Sequence, residues 1–187
     1  ERFTMKRVAV LLADGFEEVE AITQIDFLRR AELNVTVVGV TGNQATGGHG
    51  IRVSVDQEIG QSNAEFDAIV VPGGAQGAEN IAENHEAVTL IRDCLDNGRL
   101  LAAICAAPGV VLGAHGLLKG RRFTCYPGFE SKVRGGTFLE ERVVEDGNLI
   151  TSRGPGTAAE FALAIIRYLV DDQTARNLAR KTLQRGA

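Results

Sequence analysis

The sequence predicts one doubly wound α/β domain, a mostly parallel sheet with helices on both faces. Three observations predict it. Short, apolar, β-branched runs alternate with helical segments along the 187 residues. The composition, 44% apolar and 24% charged, is that of an ordinary globular domain large enough to bury a core. No linker, repeat or composition shift divides the chain.

Residues 7–13 read as a strand buried on both faces. Residues 17–30 follow as a helix, with Ala21, Ile22, Ile25 and Leu28 on its inner stripe and Glu18 and Arg29 pointing away. Residues 35–40 are the second strand. The turn-rich stretch 42–50 and the run 51–55 predict a β-hairpin excursion. Residues 66–71 form another buried strand, closed by Pro72-Gly73-Gly74. Helices over 75–82 and 85–97 lead to a further apolar strand at 100–104. Residues 107–115 read as a short helix and 122–125 as a short strand. Glu145-Asp146-Gly147-Asn148 marks a hairpin over 143–151. A helix over 157–169 has Thr157 as N-cap and Glu160 at the capping-box position, and a polar helix over 172–185 closes the domain.

Composition excludes several classes. Three widely spaced cysteines without a C-x-x-C argue against a disulfide framework or structural zinc and favour a reducing, cytoplasmic setting. No two of the three histidines lie within five residues of each other, so no local metal cluster is expected. No apolar run reaches the ~18 residues of a membrane span, and no signal peptide is read. Met5 reads as the natural start, with 1–4 as an added leader, which makes 5–187 the domain. A net charge of -4 without a basic stripe argues against a nucleic-acid partner.

In such folds ligands bind beyond the carboxyl ends of the strands. Three of those ends carry suggestive residues: 13–20, 72–77 and 105–108. Cys105 stands where an apolar run stops, before Ala106-Ala107-Pro108. Small residues permit a tight turn, and a helix start there favours thiolate over thiol, the arrangement of a nucleophile elbow. The alternative is a small buried cysteine at a strand end. Cys94 reads as a packing residue, and Cys125 as a candidate second redox-responsive thiol.

Glu17-Glu18-Val19-Glu20 opens the first helix. These carboxylates complement the helix dipole, or one of them enters the pocket beside Cys105. There its pKa would rise, and the protonated acid could donate to sulfur. The pattern does not select which glutamate. Pro72-Gly73-Gly74 lets backbone amides approach a developing anion, or is simply a turn. No G-x-x-x-x-G-K-[ST] and no G-x-G-x-x-G is present, which excludes those nucleotide sites. Ser152-Arg153-Gly154-Pro155-Gly156-Thr157 is a second turn, whose arginine either orients an anion or is merely exposed.

Four motifs occur in order: L-A-D-G-F-E-E-V-E at 12–20, V-V-P-G-G at 70–74, A-A-I-C-A-A-P at 102–108, and T-S-R-G-P-G-T with E-F-A-L-A-I at 151–166. With them the chain resembles the ThiJ/PfpI superfamily, in the branch of the Parkinson-disease protein DJ-one and bacterial YajL. The resemblance implies a flavodoxin-like sandwich, usually a homodimer, with a strained elbow cysteine at Cys105. It selects Glu20 as the acid on the cysteine. It implies anion-binding amides at Gly73, Gly74 and Ala106, a pocket wall at Arg153 and Pro155, and dimer contacts at Val19 and Arg30.

There are departures. Tyr126 stands where one branch has a histidine near the cysteine, and His49 where relatives carry an arginine at the dimer contact. Ala106 replaces the histidine that follows the cysteine in the protease-like branch, which disfavours a Cys-His protease. The activities implied are cofactor-free conversion of methylglyoxal or glyoxal to the hydroxy acid, or deglycation of early glyoxal adducts. The alternative is an oxidative-stress sensor or protective chaperone acting through oxidation of Cys105.

Overall fold

In the computed structural model, which describes residues 5–61 and 65–185, the first apolar run forms β1 (Arg7–Leu12). The chain continues through α1 (Glu18–Arg30), β2 (Asn34–Gly39), β3 (Gln44–Thr46), β4 (Arg52–Ser54) and β5 (Gln57–Glu58). Next come β6 (Ala68–Val71), α2 (Ala75–Glu83), α3 (His85–Asp96) and β7 (Leu100–Ile104). The last part holds β8 (Arg122–Phe123), β9 (Thr137–Phe138), β10 (Val143–Asp146), β11 (Leu149–Ser152), α4 (Ala158–Leu169) and α5 (Asp172–Lys181).

The main sheet runs β10-β11-β7-β6-β1-β2-β5. All of its pairings are parallel except β10 with β11. The pleat sorts β1 between two cores. Val8, Val10 and Leu12 join Phe27 and Leu28 of α1 and Phe161 and Ile165 of α4. Ala9, Leu11 and Ala13 join Ala78 and Ile81 of α2 and Ile91 of α3. Burial on both faces is why these strands read as unbroken apolar runs. The expected excursion is the separate antiparallel pair β3–β4, and β8 finds a parallel partner in β9. Among the described residues no helix is long and apolar enough to cross a membrane. Residues 1–4, read as a leader, lie outside the described residues.

The short helix expected over 107–115 is a six-residue π-helical turn, Pro108–Gly113. Other local expectations fail where distant chain intervenes. Thr157 does not cap α4 with its side chain. Its hydroxyl lies 2.6 Å from Ser152 Oγ and accepts from the Gly154 amide at 3.1 Å, while Glu160 is held by Arg142. Glu18, expected to point outward, is buried, and Ile22, expected inward, is 41% exposed. Gln24 is buried in turn, with its Nε2 donating to Ala158 O at 2.9 Å across to α4.

Candidate active site

From β1 the chain moves outward to β2 and β5 on one side, then returns to build β6, β7 and β11 on the other. The order therefore reverses between β1 and β6, where a crevice opens at the strand ends. Three segments meet there: the first turn of α1, Pro72-Gly73-Gly74 after β6, and Cys105 after β7.

Cys105 has φ 66°, a left-handed conformation costing a non-glycine residue about 1–3 kcal/mol. Two hydrogen bonds hold it there. Its N–H donates to Ser152 O at 3.0 Å, extending the β7–β11 ladder, and its carbonyl accepts from Tyr126 N–H at 2.9 Å. The residue is 9% exposed.

Glu20 is fully buried. Its Oε1 accepts from the Gly73 amide at 2.9 Å. Among the described residues Oε2 has no hydrogen-bond partner, and the carboxyl and the Cys105 side chain converge on Gly73, where a Cβ would lie 2.6 Å from Glu20 Oε1 and from Cys105 Cβ. Burial pushes its pKa up to about 7, opposed by the Cys105 and Gly73 hydrogen bonds and reinforced by the Glu17 charge. Glu17 is the N-cap of α1: its carboxylate accepts from the Glu20 amide at 2.8 Å, and its own N–H donates to Gly73 O at 3.0 Å.

Burial also pushes the Cys105 thiol up, and the Glu20 carboxylate adds to it, while the Gly74 and Ala106 amides pull the other way. This corrects the expectation that a helix start alone favours the thiolate, since only a short π-helical turn follows. The proton's position decides the matter. With the proton on Glu20, a repelling charge becomes a hydrogen-bond donor, and the same geometry supports a thiolate.

The glycines permit this closeness. A Cβ at Gly73 would sit 2.6 Å from both Cys105 Cβ and Glu20 Oε1. Gly74 has φ 87°, and a Cβ there would overlap Gly15 O and lie 2.7 Å from Glu17 N. The Gly73 N–H, expected among the anion-binding donors, is committed to Glu20. The amides that reach the sulfur are those of Gly74 and Ala106.

The remaining candidates are more loosely placed. Tyr126 is 46% exposed, packs edge-on against Phe129 and flanks Gly154. Arg153 is engaged by its own chain: Nε donates to Cys125 O at 3.0 Å, and the guanidinium lies over Phe138 and beside Glu140. Pro155 is exposed and opens the 3-10 turn Pro155–Thr157. Cys94 and Cys125 are buried, with burial pushing their thiols up to about 11 and about 12.

Val19 and Arg30 are exposed on α1, where Arg30 pairs with Asp26 at 2.7 Å. His49, on the β3–β4 hairpin, places Nδ1 3.0 Å from Glu18 Oε2 and 3.9 Å from Glu17 Oε1. Burial alone would raise Glu18, but bonds from His49 and from the His49 and Ile51 amides hold it below the usual carboxylate range. Polar atoms of Glu17, Glu18 and His49 lie within 4.8 Å of one another. The Glu18 oxygens are occupied by hairpin amides and imidazole, so the cluster is an internal ion pair and not a metal centre. Histidine spacing along the chain gave no sign of it, because the hairpin fold creates it.

A cysteine on a strained strand-to-turn elbow, beside a buried carboxyl at the switch point of a parallel sheet, defines the class of protein. The chain belongs to the DJ-1/PfpI family, whose model matches residues 6–168. It is 40% identical over 182 residues to protein dj-1beta of Drosophila melanogaster, covering 95% of this chain and 97% of that one. It is 41% identical over 180 residues to protein DJ-1 homolog B of Arabidopsis thaliana, but spans only 41% of that longer relative and 95% of itself. A Pyrococcus abyssi protein named deglycase PYRAB04690 is 38% identical over 166 residues, 87% of this chain and 99% of its own. The crystal structure of a cysteine-to-alanine mutant of the DJ-1 superfamily protein STM1931 from Salmonella typhimurium superposes with TM-score 0.93 at 40% identity, covering 96% of this chain and 98% of that one.

Proposed function

We propose that the chain is a cysteine-dependent, cofactor-free enzyme of reactive dicarbonyls, converting methylglyoxal to lactate and glyoxal to glycolate. One observation carries the reading: a fully buried carboxyl, poised to hold or release a proton near neutrality, lies against the sulfur of an elbow cysteine. The deglycase name of the Pyrococcus relative supports chemistry on the same class of carbonyl compound.

The Cys105 thiolate attacks the aldehyde carbon, forming the C–S bond of a hemithioacetal, and the Gly74 and Ala106 amides face the oxygen that gains charge. Glu20 gives its proton to that oxygen and so becomes the base. It then takes the C1 proton, leaving an enediolate whose O1 hydroxyl proton passes to O2, and returns the proton it took to C2 as C1–O1 becomes the thioester carbonyl. The product is a 2-hydroxyacyl thioester on Cys105. Water cleaves it to the hydroxy acid and restores thiolate and carboxyl. The carbonyl carbon is oxidised and its neighbour reduced within one molecule, so no external oxidant is needed.

The test is lactate formation from methylglyoxal without glutathione, comparing wild type with Cys105→Ser and Glu20→Gln. Free methylglyoxal avoids the equilibrium between glyoxal adducts and free glyoxal that confounds deglycation assays. Loss of turnover in both variants is expected. No turnover above background in the wild type sinks the reading for this substrate and moves weight to Cys105 as an oxidation-sensing thiol.

A further inference from the structure

Two carboxylates, Glu17 and Glu18, and the His49 imidazole cluster at the first turn of α1, the turn that carries Glu20. Glu17 is bound to the Glu20 backbone at 2.8 Å and to Gly73 O at 3.0 Å, so its charge is fixed beside the Glu20 carboxyl. Its side chain is only 15% exposed, and water screens it poorly. His49 approaches from the hairpin, 3.9 Å from Glu17 and 3.0 Å from Glu18. We propose that Glu17 and His49 set how tightly Glu20 holds its proton, Glu17 tightening the hold and protonated His49 loosening it. The inference rests on Glu20 as the proton carrier of the proposed chemistry, and it assigns both residues a positioning role.

Among the described residues, the charged and titratable groups that face Glu20 are Cys105 after β7 and Glu17 beside its own helix, with His49 reaching Glu17 and, more closely, Glu18. The segment after β6 contributes amides only. Hydrogen bonding to Glu18 and the two negative charges raise His49 above its ordinary value, so it keeps its positive charge to higher pH than a free imidazole. As pH rises, His49 becomes neutral and leaves Glu17 and Glu18 uncompensated. Their field then strengthens the hold on the Glu20 proton when solution conditions would strip it. The pairing resists the loss of the protonated carboxyl and widens the pH range over which the thiolate is supported.

The experiment is a 13C NMR titration of the Glu20 side-chain carboxyl in the full chain, without substrate, its signal assigned by loss in Glu20→Gln. Glu17→Gln keeps an acceptor oxygen for the Glu20 amide and removes only the charge, so the midpoint is expected to fall by about half a pH unit or more. His49→Asn is expected to raise the midpoint and His49→Lys to lower it. Opposite shifts from the two substitutions at one position are not what a structural role produces. An unmoved midpoint in Glu17→Gln, or equal midpoints in the His49 variants, overturns the proposal. No turnover is measured, so failure of the dicarbonyl reading leaves this result standing, and the reverse holds too.

Discussion

Replacing Glu20 with glutamine should change how stability depends on pH, in a direction opposite to that of most carboxylates. In the unfolded chain the carboxyl titrates at its ordinary 4.5, whereas in the fold burial holds it near 7. Between those values the unfolded state has released the proton and the folded state still binds it. Stability therefore falls as pH rises through this window, is fully retained below 4.5, and levels off above 7. A gap of two to three pH units at about 1.4 kcal/mol each gives a loss of about 3 kcal/mol by pH 8. Glutamine retains the oxygen that accepts from the Gly73 amide and does not titrate. Urea denaturation of both proteins at intervals from pH 4.5 to 8 reads the effect of Glu20 and the groups coupled to it, since uncoupled titrations cancel in the difference. The variant should gain about 3 kcal/mol on the wild type across the window. A difference constant to within about 0.5 kcal/mol refutes the raised carboxyl.

Gly74→Ala forces a side chain against Gly15 O and Glu17 N at a left-handed position, and should cost about 2 kcal/mol or more. A thermal melt by circular dichroism checks it, and an unchanged Tm contradicts the geometry. Thr157→Val removes the oxygen to which the Gly154 and Arg153 amides donate and should cost about 1–3 kcal/mol. Thr157→Ser should stay close to the wild type in the same denaturation assay. If serine and valine destabilise equally, the hydroxyl is not what the site needs.

The parallel sheet was legible because strands buried on both faces leave an unbroken apolar run, and 7–13, 66–71 and 100–104 each did. Cys105 was legible for a related reason: the run stops and small residues with a proline follow. The choice among Glu17, Glu18 and Glu20 was not. Helix periodicity places Glu18 outside, yet the β3–β4 hairpin folds back over it and supplies the amides that satisfy its charge. Thr157 shows the same limit. Its sequence neighbours promise a cap, but Ser152 and the Gly154 amide compete for the hydroxyl through the preceding turn. What local pattern misses in both cases is a polar group whose partner arrives from elsewhere in the chain.

The bond between Glu20 Oε1 and the Gly73 amide has a stereochemical consequence. A carboxyl pinned by one oxygen cannot swing, so its protons leave and arrive through Oε2 from one direction. In the proposed reaction the enediol is planar, and its two faces are mirror images until a proton lands on one of them. A sulfur on one side and an acid that cannot turn expose a single face to that proton. Lactate formed here should therefore be of one hand, and a racemic product would mean that solvent, not Glu20, delivers the proton.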